Sequence, residues 1–233
     1  PLYSSAASDV YKRQVLLHLA LGNRESLQCW LDFLRDMVKR GLRPPLTMTS
    51  DGAPGLLVAL EEVFPQSVRI RCWMHKMQNV LAKLPESARN EVKSWLVGVR
   101  DAPTLEVGRK VAAEVIARCE REYPAAMRSF ADDLDASLAH LRVPVAHRKF
   151  VRTTNLIERG FEEERRRTKV IPRFFDERSC LKLAFGALER AARRWQRVHI
   201  TEQEHRQLDQ LRRELWPHPP PLENAIDHDK LVA

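Results

Sequence analysis

Asp51, Glu158 and the pair Cys72 and His75 are the residues of this sequence whose types and settings suit chemistry. Carboxylates hold hard divalent cations through oxygen. A thiolate and an imidazole spaced C-x-x-H can supply half of a zinc site. Asp51 follows an extended stretch, Pro45–Ser50, in which Leu46 and Met48 alternate with Thr47 and Thr49. It therefore falls at the carboxyl end of a predicted strand, where ligands gather in α/β sheets. The same Asp-Gly reads as a turn in which Asp51 caps the next helix. Glu158 lies in RTTNLIERGFEEERRRTKVIPRFF, with Asn155, a preferred N-cap residue, three positions earlier. That makes it a capping-box carboxylate as readily as a catalytic one. Cys72 and His75, in RCWMHKMQN, have no second close Cys/His pair, since His140 and His147 are distant and seven apart. Packing is therefore the competing role for the Cys-His pair.

The helix expected to carry Glu158 is also the densest basic region. Residues Ala146–Ile200 hold 15 Lys/Arg against 7 Asp/Glu, while the rest of the chain is balanced at 24 each, so the whole net charge of +8 sits here. Glu162 with Arg166, and Glu163 with Arg167, are i,i+4 pairs that favour a solvated helix at roughly 0.2–0.5 kcal/mol each. Local pairing does not call for such a concentration of positive charge, whereas a phosphate-binding surface does. The candidate nucleic-acid contacts are Arg159, Arg165, Arg166, Arg167, Lys169 and Arg173.

The elements that must position these groups follow from periodicity. Residues 1–14 show neither helical nor strand periodicity, and DVYKRQ within them resembles translated sequencing-adaptor DNA; this stretch reads as a non-native leader on a fragment. Val15–Leu21 reads as a buried strand, with His18 a core histidine. Glu25–Arg40 reads as a helix with the stripe Leu27, Trp30, Leu31, Leu34 and Val38, closed by Gly41. After Asp51 a helix runs to about Val63, then a strand Val68–Trp73 and a helix Met74–Leu84. Strand–helix alternation predicts a largely parallel α/β sheet over residues 15–85. Residues 86–145 change to charged amphipathic helices, with Val92, Trp95, Leu96 and Val99 on one and Val107, Val111, Val115 and Ile116 on another, and read as an all-helical insertion. Residues 146–200 return to the core with the Glu158 helix, which Pro172 ends at about the preceding residue. A long helix then spans Asp176–Val198 with the stripe Leu181, Ala184, Leu188, Ala191 and Trp195. Thr201 and Glu204 box a last helix carrying Leu208, Leu211 and Leu215, and Pro217–Ala233 reads as a mobile tail. The four cysteines are scattered without a CxxC pair, which fits a reducing cytosol. No apolar run reaches the ~18 residues of a membrane span.

Several separated motifs, LLHLALGNRES, SDGAPGL, RIRCWMHKMQNVL and TTNLIERGFEEERRRTKVIPRFF, occur in the order found in mutator-type (IS256-like) transposases of bacterial insertion sequences, which the chain resembles from about Val15 to Trp216. The resemblance implies an α/β, RNase H-like catalytic core interrupted by an all-helical insertion. It implies metal-dependent DNA cleavage and strand transfer by an Asp-Asp-Glu triad with Mg²⁺ or Mn²⁺, DNA as partner and no membrane. It further implies a homo-oligomer in the intact protein and a cytoplasmic, nucleoid-associated bacterial setting. Carried over by position, Asp51 is the second Asp and Glu158 the Glu, both metal-binding, and Cys72 and His75 match a family feature of less certain role. The first Asp has no counterpart, because Asp9 sits in the wrong context, and the amino-terminal DNA-binding region is missing. The chain by itself is accordingly expected to be inactive. Gly160 also departs from the pattern, and Gly costs a helix interior about 1 kcal/mol against Ala.

Other classes compete with this reading. A non-catalytic nucleic-acid-binding domain would use the Arg165–Lys169 region and lack a cation site joining Asp51 to Glu158. A helical interaction protein would use the stripes of the last two helices and ignore DNA. A zinc-dependent enzyme needs two more ligands near His75.

Overall fold

The computed structural model describes residues 2–8, 14–22, 26–195 and 198–217, the first of these by backbone only. Strands β1 (Leu2–Ser8) and β2 (Gln14–Leu21) pair antiparallel, from Leu2↔Leu21 to Ser8↔Gln14. Residues 2–8 thus form a strand despite lacking strand periodicity. Backbone pairing satisfies their N–H and C=O groups whatever the side chains are. Strands β3 (Thr47–Ser50) and β4 (Val68–Arg71) pair in parallel, Thr47↔Val68 through Ser50↔Arg71. Such a pair needs a crossover, which is helix α2 (Pro54–Val63), started by Pro54 in its first turn. The single parallel sheet expected from the sequence is therefore two separate two-stranded sheets among the described residues. In β2 the backbone groups are taken up by β1.

Helix α1 (Leu27–Lys39) is capped by Ser26, whose hydroxyl accepts from the Cys29 N–H at 3.3 Å, and is followed by Gly41 at φ 97°. It buries Leu31, Phe33, Leu34 and Met37 against α2, while Leu27 and Val38, expected on the stripe, are 39% and 43% exposed. The buried face is rotated toward Phe33 and Met37. Helix α3 (Trp73–Leu81) begins directly off β4 and leads into α4 (Glu86–Arg100), α5 (Leu105–Cys119), α6 (Pro124–Ala131), α7 (Leu134–Leu138), a 3-10 turn (Ala139–Arg142) and α8 (Val145–Val151). Residues 86–142 are helical apart from short connections, and they own the largest core: Val92, Leu96, Val99, Ala112, Met127, Phe130 and Leu138 pack with Trp73 and Val80. Val107 lies outside it, 38% exposed. The chain ends in α9 (Asn155–Thr168), α10 (Glu177–Ala192) and α11 (Glu202–Leu215). Helix α10 carries a reciprocal Asp176–Ser179 capping box and stops at Ala192, earlier than its apolar stripe suggests. Helix α11 has the expected Thr201–Glu204 box, and its Leu211 joins Val68 and Ile70 of β4 in a third core. Residues 218–233, read from sequence as a tail, and Arg197 lie outside the described residues. Among the described residues no helix is long and apolar enough to cross a membrane.

Buried polar bonds fasten the helical region to the sheet. The Trp73 indole N–H donates to Ser137 O at 2.6 Å and lies 3.2 Å from His140 Nδ1. His140 places both ring nitrogens near carbonyls, Nδ1 2.9 Å from Ser137 O and Nε2 2.8 Å from Arg100 O, and a neutral ring can donate to only one of them. Arg69 of β4 makes a two-pronged pair with Asp133, whose backbone is left-handed at φ 56°. Lys76 is buried with its ammonium on Asp132 O. Burial, opposed by Asp132, brings that ammonium down to about 8.

Burial also holds His140 below its ordinary 6.5. The unfolded chain then takes up more protons than the folded one, so this contribution to stability is complete above pH 6.5 and is lost as pH falls toward the depressed value. Thermal midpoints measured from pH 7.5 to 5 should fall on acidification, and His140→Gln should flatten that fall. An unchanged slope in the variant would show that His140 is not the group responsible.

Candidate active site and nucleic-acid interface

The carboxyl end of the parallel pair is the organising edge. The Cys72 N–H donates to Ser50 O at 2.8 Å, carrying the ladder one residue past β3 and β4. Asp51 and Cys72 therefore stand side by side at the same rim. Asp51 is exposed, and its Oδ1 accepts from the Ala53 N–H at 3.1 Å. This closes a tight turn through Gly52, at φ 87°. The N-cap of α2 is Ala53, so Asp51 shapes the turn and does not cap the helix.

Glu158 reaches this rim because the chain before it is tied there. The Thr49 hydroxyl donates to Val151 O, and the Trp73 N–H donates to Arg152 O at 2.9 Å. Arg152 itself is held by Asp101, Nη1 to Oδ1 2.6 Å. Thr154 then falls against Cys72, with its N–H 3.4 Å and its hydroxyl 3.2 Å from Sγ. The same hydroxyl bonds Glu158 Oε1, and His75 Nδ1 lies 3.8 Å from that oxygen. Ligand atoms of Cys72, His75 and Glu158 all lie within 4.8 Å of one another.

This geometry changes three sequence expectations. The N-cap of α9 is Thr154, which makes no side-chain cap bond, so Asn155 is the first helical residue and Glu158 belongs to no capping box. The Thr154 hydroxyl is turned to the sulfur and the carboxylate instead of the helix end. Helix α9 also stops at Thr168, before the residue preceding Pro172. Finally, the Cys-His pair gains a third potential ligand in Glu158, which no local spacing could show, while Asp51 stands at the rim outside that group.

Two further residues were not singled out from sequence. Thr154 bridges the sulfur and the carboxylate. Arg71 lays its guanidinium over Gly52, where an added Cβ would stand 0.8 Å from Nη1. Arg71 Nε and the Ser50 hydroxyl are shielded from solvent without a hydrogen-bond partner. The Asp-Gly pair was the available clue, since a left-handed Gly often marks a close approach.

Helix α9 separates its charges. Glu163 bonds both Arg166 and Arg167, at 2.8 and 2.5 Å, so the expected pairing of Arg166 with Glu162 is replaced by an i,i+3 pair. Arg166 and Arg167 hold the Glu163 carboxyl down at about 2. Arg159, Arg165, Lys169 and Arg173 are exposed, and their side chains form no ion pair among the described residues. Beyond the helix end, Val170 and Phe175 are 76% and 98% exposed beside Lys169 and Arg173. On the opposite side Gly160 is buried, and a Cβ there would meet Leu188 Cδ2 at 3.0 Å. The departure at Gly160 thus lets α9 approach α10 closely.

An α/β pair, a helical excursion and a returning helix that carries Glu158 define a class of protein that comparison resolves. The Mutator family of transposases matches residues 7–198, and the chain belongs to that family. It is 36% identical over 187 residues to the transposase for insertion sequence element IS6120 of Mycolicibacterium smegmatis, covering 80% of this chain and 58% of that protein. It is 33% identical to the transposase for IST2 of Acidithiobacillus ferrooxidans, covering 82% of this chain and 64% of the other. The transposase for ISRM5 of Rhizobium meliloti (strain 1021) is 32% identical over 73% of this chain and 43% of its own length. The chain thus spans about 58% and 64% of the first two relatives.

Gly52→Ala should lower stability by about 1–3 kcal/mol through its left-handed backbone. The Arg71 head group can move aside, so removing it should restore little. Urea denaturation of Gly52→Ala with and without Arg71→Ala tests this, and full recovery in the double variant would make the steric contact the cause.

Proposed function

We propose that this chain is the RNase H-like catalytic core of a DNA transposase, with Asp51 and Glu158 as carboxylates that hold Mg²⁺ or Mn²⁺ during DNA cleavage and strand transfer. The observation that supports this most is the tether of Val151 and Arg152 to Thr49 and Trp73, because it brings the Glu158 helix to the rim where Asp51 ends β3. The order strand, crossover helix, parallel strand, helical excursion and returning Glu158 helix is consistent with such a core.

The donor set suits a hard cation at Asp51 and Glu158, whose oxygens are the ligand type Mg²⁺ requires. A bound divalent ion would supply neutralisation of charge developing on the phosphate oxygens. The protein's own part is to hold the acceptors. The turn at Gly52 aims Asp51 outward, and Thr154 orients Glu158 by hydrogen bonding one of its oxygens. Neither β1 nor β2 contains an Asp, and Asp9 lies outside the described residues. On this reading the chain alone lacks one carboxylate of the triad and does not cleave DNA.

DNA would lie along the exposed cations of α9 and the segment after it. Arg159, Arg165, Lys169 and Arg173 contact phosphate, while Arg166 and Arg167 are already engaged by Glu163. Such contacts fix position and carry little sequence information.

In a full-length transposase containing this chain, Asp51→Asn and Glu158→Gln should each abolish cleavage of DNA bearing the element's ends while leaving DNA binding intact. Cleavage by either variant would refute the assignment. A DNA-binding module without catalysis would show no loss of Mn²⁺ affinity in either variant. For binding, removing one phosphate contact should reduce the slope of log affinity against log salt by about 0.9. Arg165→Ala and Lys169→Ala should show that reduction by fluorescence anisotropy, and Arg166→Ala a smaller one. Equal slopes for all three would contradict the division of charge along α9.

A further inference from the structure

The geometry points to a site for one borderline-soft divalent cation, of which Zn²⁺ is the natural occupant, formed by Cys72 Sγ, His75 and Glu158. The site is separate from any pairing of Asp51 with Glu158, although it shares the Glu158 carboxylate. Thiolate, imidazole and carboxylate together are a zinc donor set, and three protein ligands with one open position are the pattern of a reactive zinc site. A set this rich in sulfur and nitrogen disfavours Mg²⁺.

The arrangement follows from the fold. Cys72 is the cap residue of α3 and His75 is in its first turn, so an i,i+3 spacing puts both on one side of that end. Glu158 arrives from α9 along the tethered segment. Tetrahedral bonds of about 2.0–2.3 Å set ligand atoms roughly 3.5 Å apart. The His75 Nδ1 to Glu158 Oε1 spacing of 3.8 Å already fits this, and the other pairs, all within 4.8 Å, need to close by no more than about 1.3 Å.

Two independent observations favour a ligand here. His75 Nδ1 is shielded from solvent, faces the carboxylate and makes no hydrogen bond among the described residues. A buried polar nitrogen left so is costly unless something else engages it. Second, the Cys72 sulfur is buried and is approached by the Thr154 N–H at 3.4 Å. Donation to sulfur from a backbone N–H is the support that outer groups give to a coordinating thiolate. The Thr154 hydroxyl has one proton for two neighbours, Sγ and Glu158 Oε1. It donates to one of them at a time, and when it serves Glu158 the Thr154 N–H still faces the sulfur.

One consequence rests on the catalytic reading given above. If Glu158 also serves Mg²⁺, it cannot serve both cations fully, so Zn²⁺ bound here withdraws it and opposes cleavage. The site itself stands or falls without that consequence.

Cobalt substitution of the full chain tests it, because Co²⁺ bound to a thiolate shows charge-transfer absorption that oxygen ligands do not give. The expected result is one Co²⁺ per chain with that absorption, displaced by Zn²⁺ and not by Mg²⁺. Cys72→Ser should remove the absorption. His75→Ala and Glu158→Gln should each weaken affinity by at least about 10–100-fold, the cost of losing even an outer partner. Asp51→Asn should leave the spectrum unchanged, which separates this site from the carboxylate pair. Thermal melts of the metal-free variants exclude misfolding as the cause. Absorption that survives Cys72→Ser, arising from Cys29, Cys119 or Cys180, would overturn the proposal. So would undiminished affinity in both His75→Ala and Glu158→Gln, or the absence of a charge-transfer band.

Discussion

Two backbone carbonyls, those of Val151 and Arg152, are the point on which the chemistry of this chain turns. One receives the Thr49 hydroxyl from β3 and the other the Trp73 N–H at the start of α3. Both donors belong to the carboxyl edge of the small parallel sheet, so the chain that returns from a long helical excursion has one docking position. Six residues past Arg152, that position determines which groups Glu158 meets. A hydrogen bond of this kind is worth only about 1 kcal/mol net. Its value here is geometric, because it converts remoteness in sequence into adjacency at one rim.

The helical region is what makes the docking firm. It has its own apolar core, and Trp73 enters that core from the first position of α3 with its indole N–H satisfied by Ser137. Arg148 works from the other side, donating to the carbonyls of Ala102, Pro103, Leu141 and Val143. Five potential donors in a planar fork suit one guanidinium to gathering several helix ends. A two-stranded parallel pair is too small to be rigid alone. Clamped against this bundle by Arg69 to Asp133 and by Lys76 to Asp132, its edge becomes part of a larger body.

Helix α9 serves two surfaces at once. Its Glu158 end faces the rim, its Gly160 side lies against Leu188 of α10, and its Arg165 to Lys169 end meets solvent. Glu163 takes Arg166 and Arg167 for itself, leaving cations on either side of that cluster without an ion pair among the described residues. The clustering of positive charge noted in the sequence is therefore real, but fewer of its members are available than their number suggests.

What the sequence determined by itself was local and periodic. The order and type of β3, α2, β4 and α11, the helical character of residues 86–142 and the basic segment were legible, because side-chain alternation, helical spacing and charge are properties of neighbours along the chain, although Trp73, read as the end of a strand, starts α3. The family was legible too, from motifs in a fixed order. Three things needed the tertiary structure: the division into two small sheets, the rotation of α1 onto Phe33 and Met37, and the meeting of Glu158 with Cys72 and His75. Each depends on contacts between groups that are not neighbours along the chain. Asn155 shows the difference most simply. It is a good cap by type, yet the residue before it is held against a buried sulfur, and the helix begins where that contact puts it.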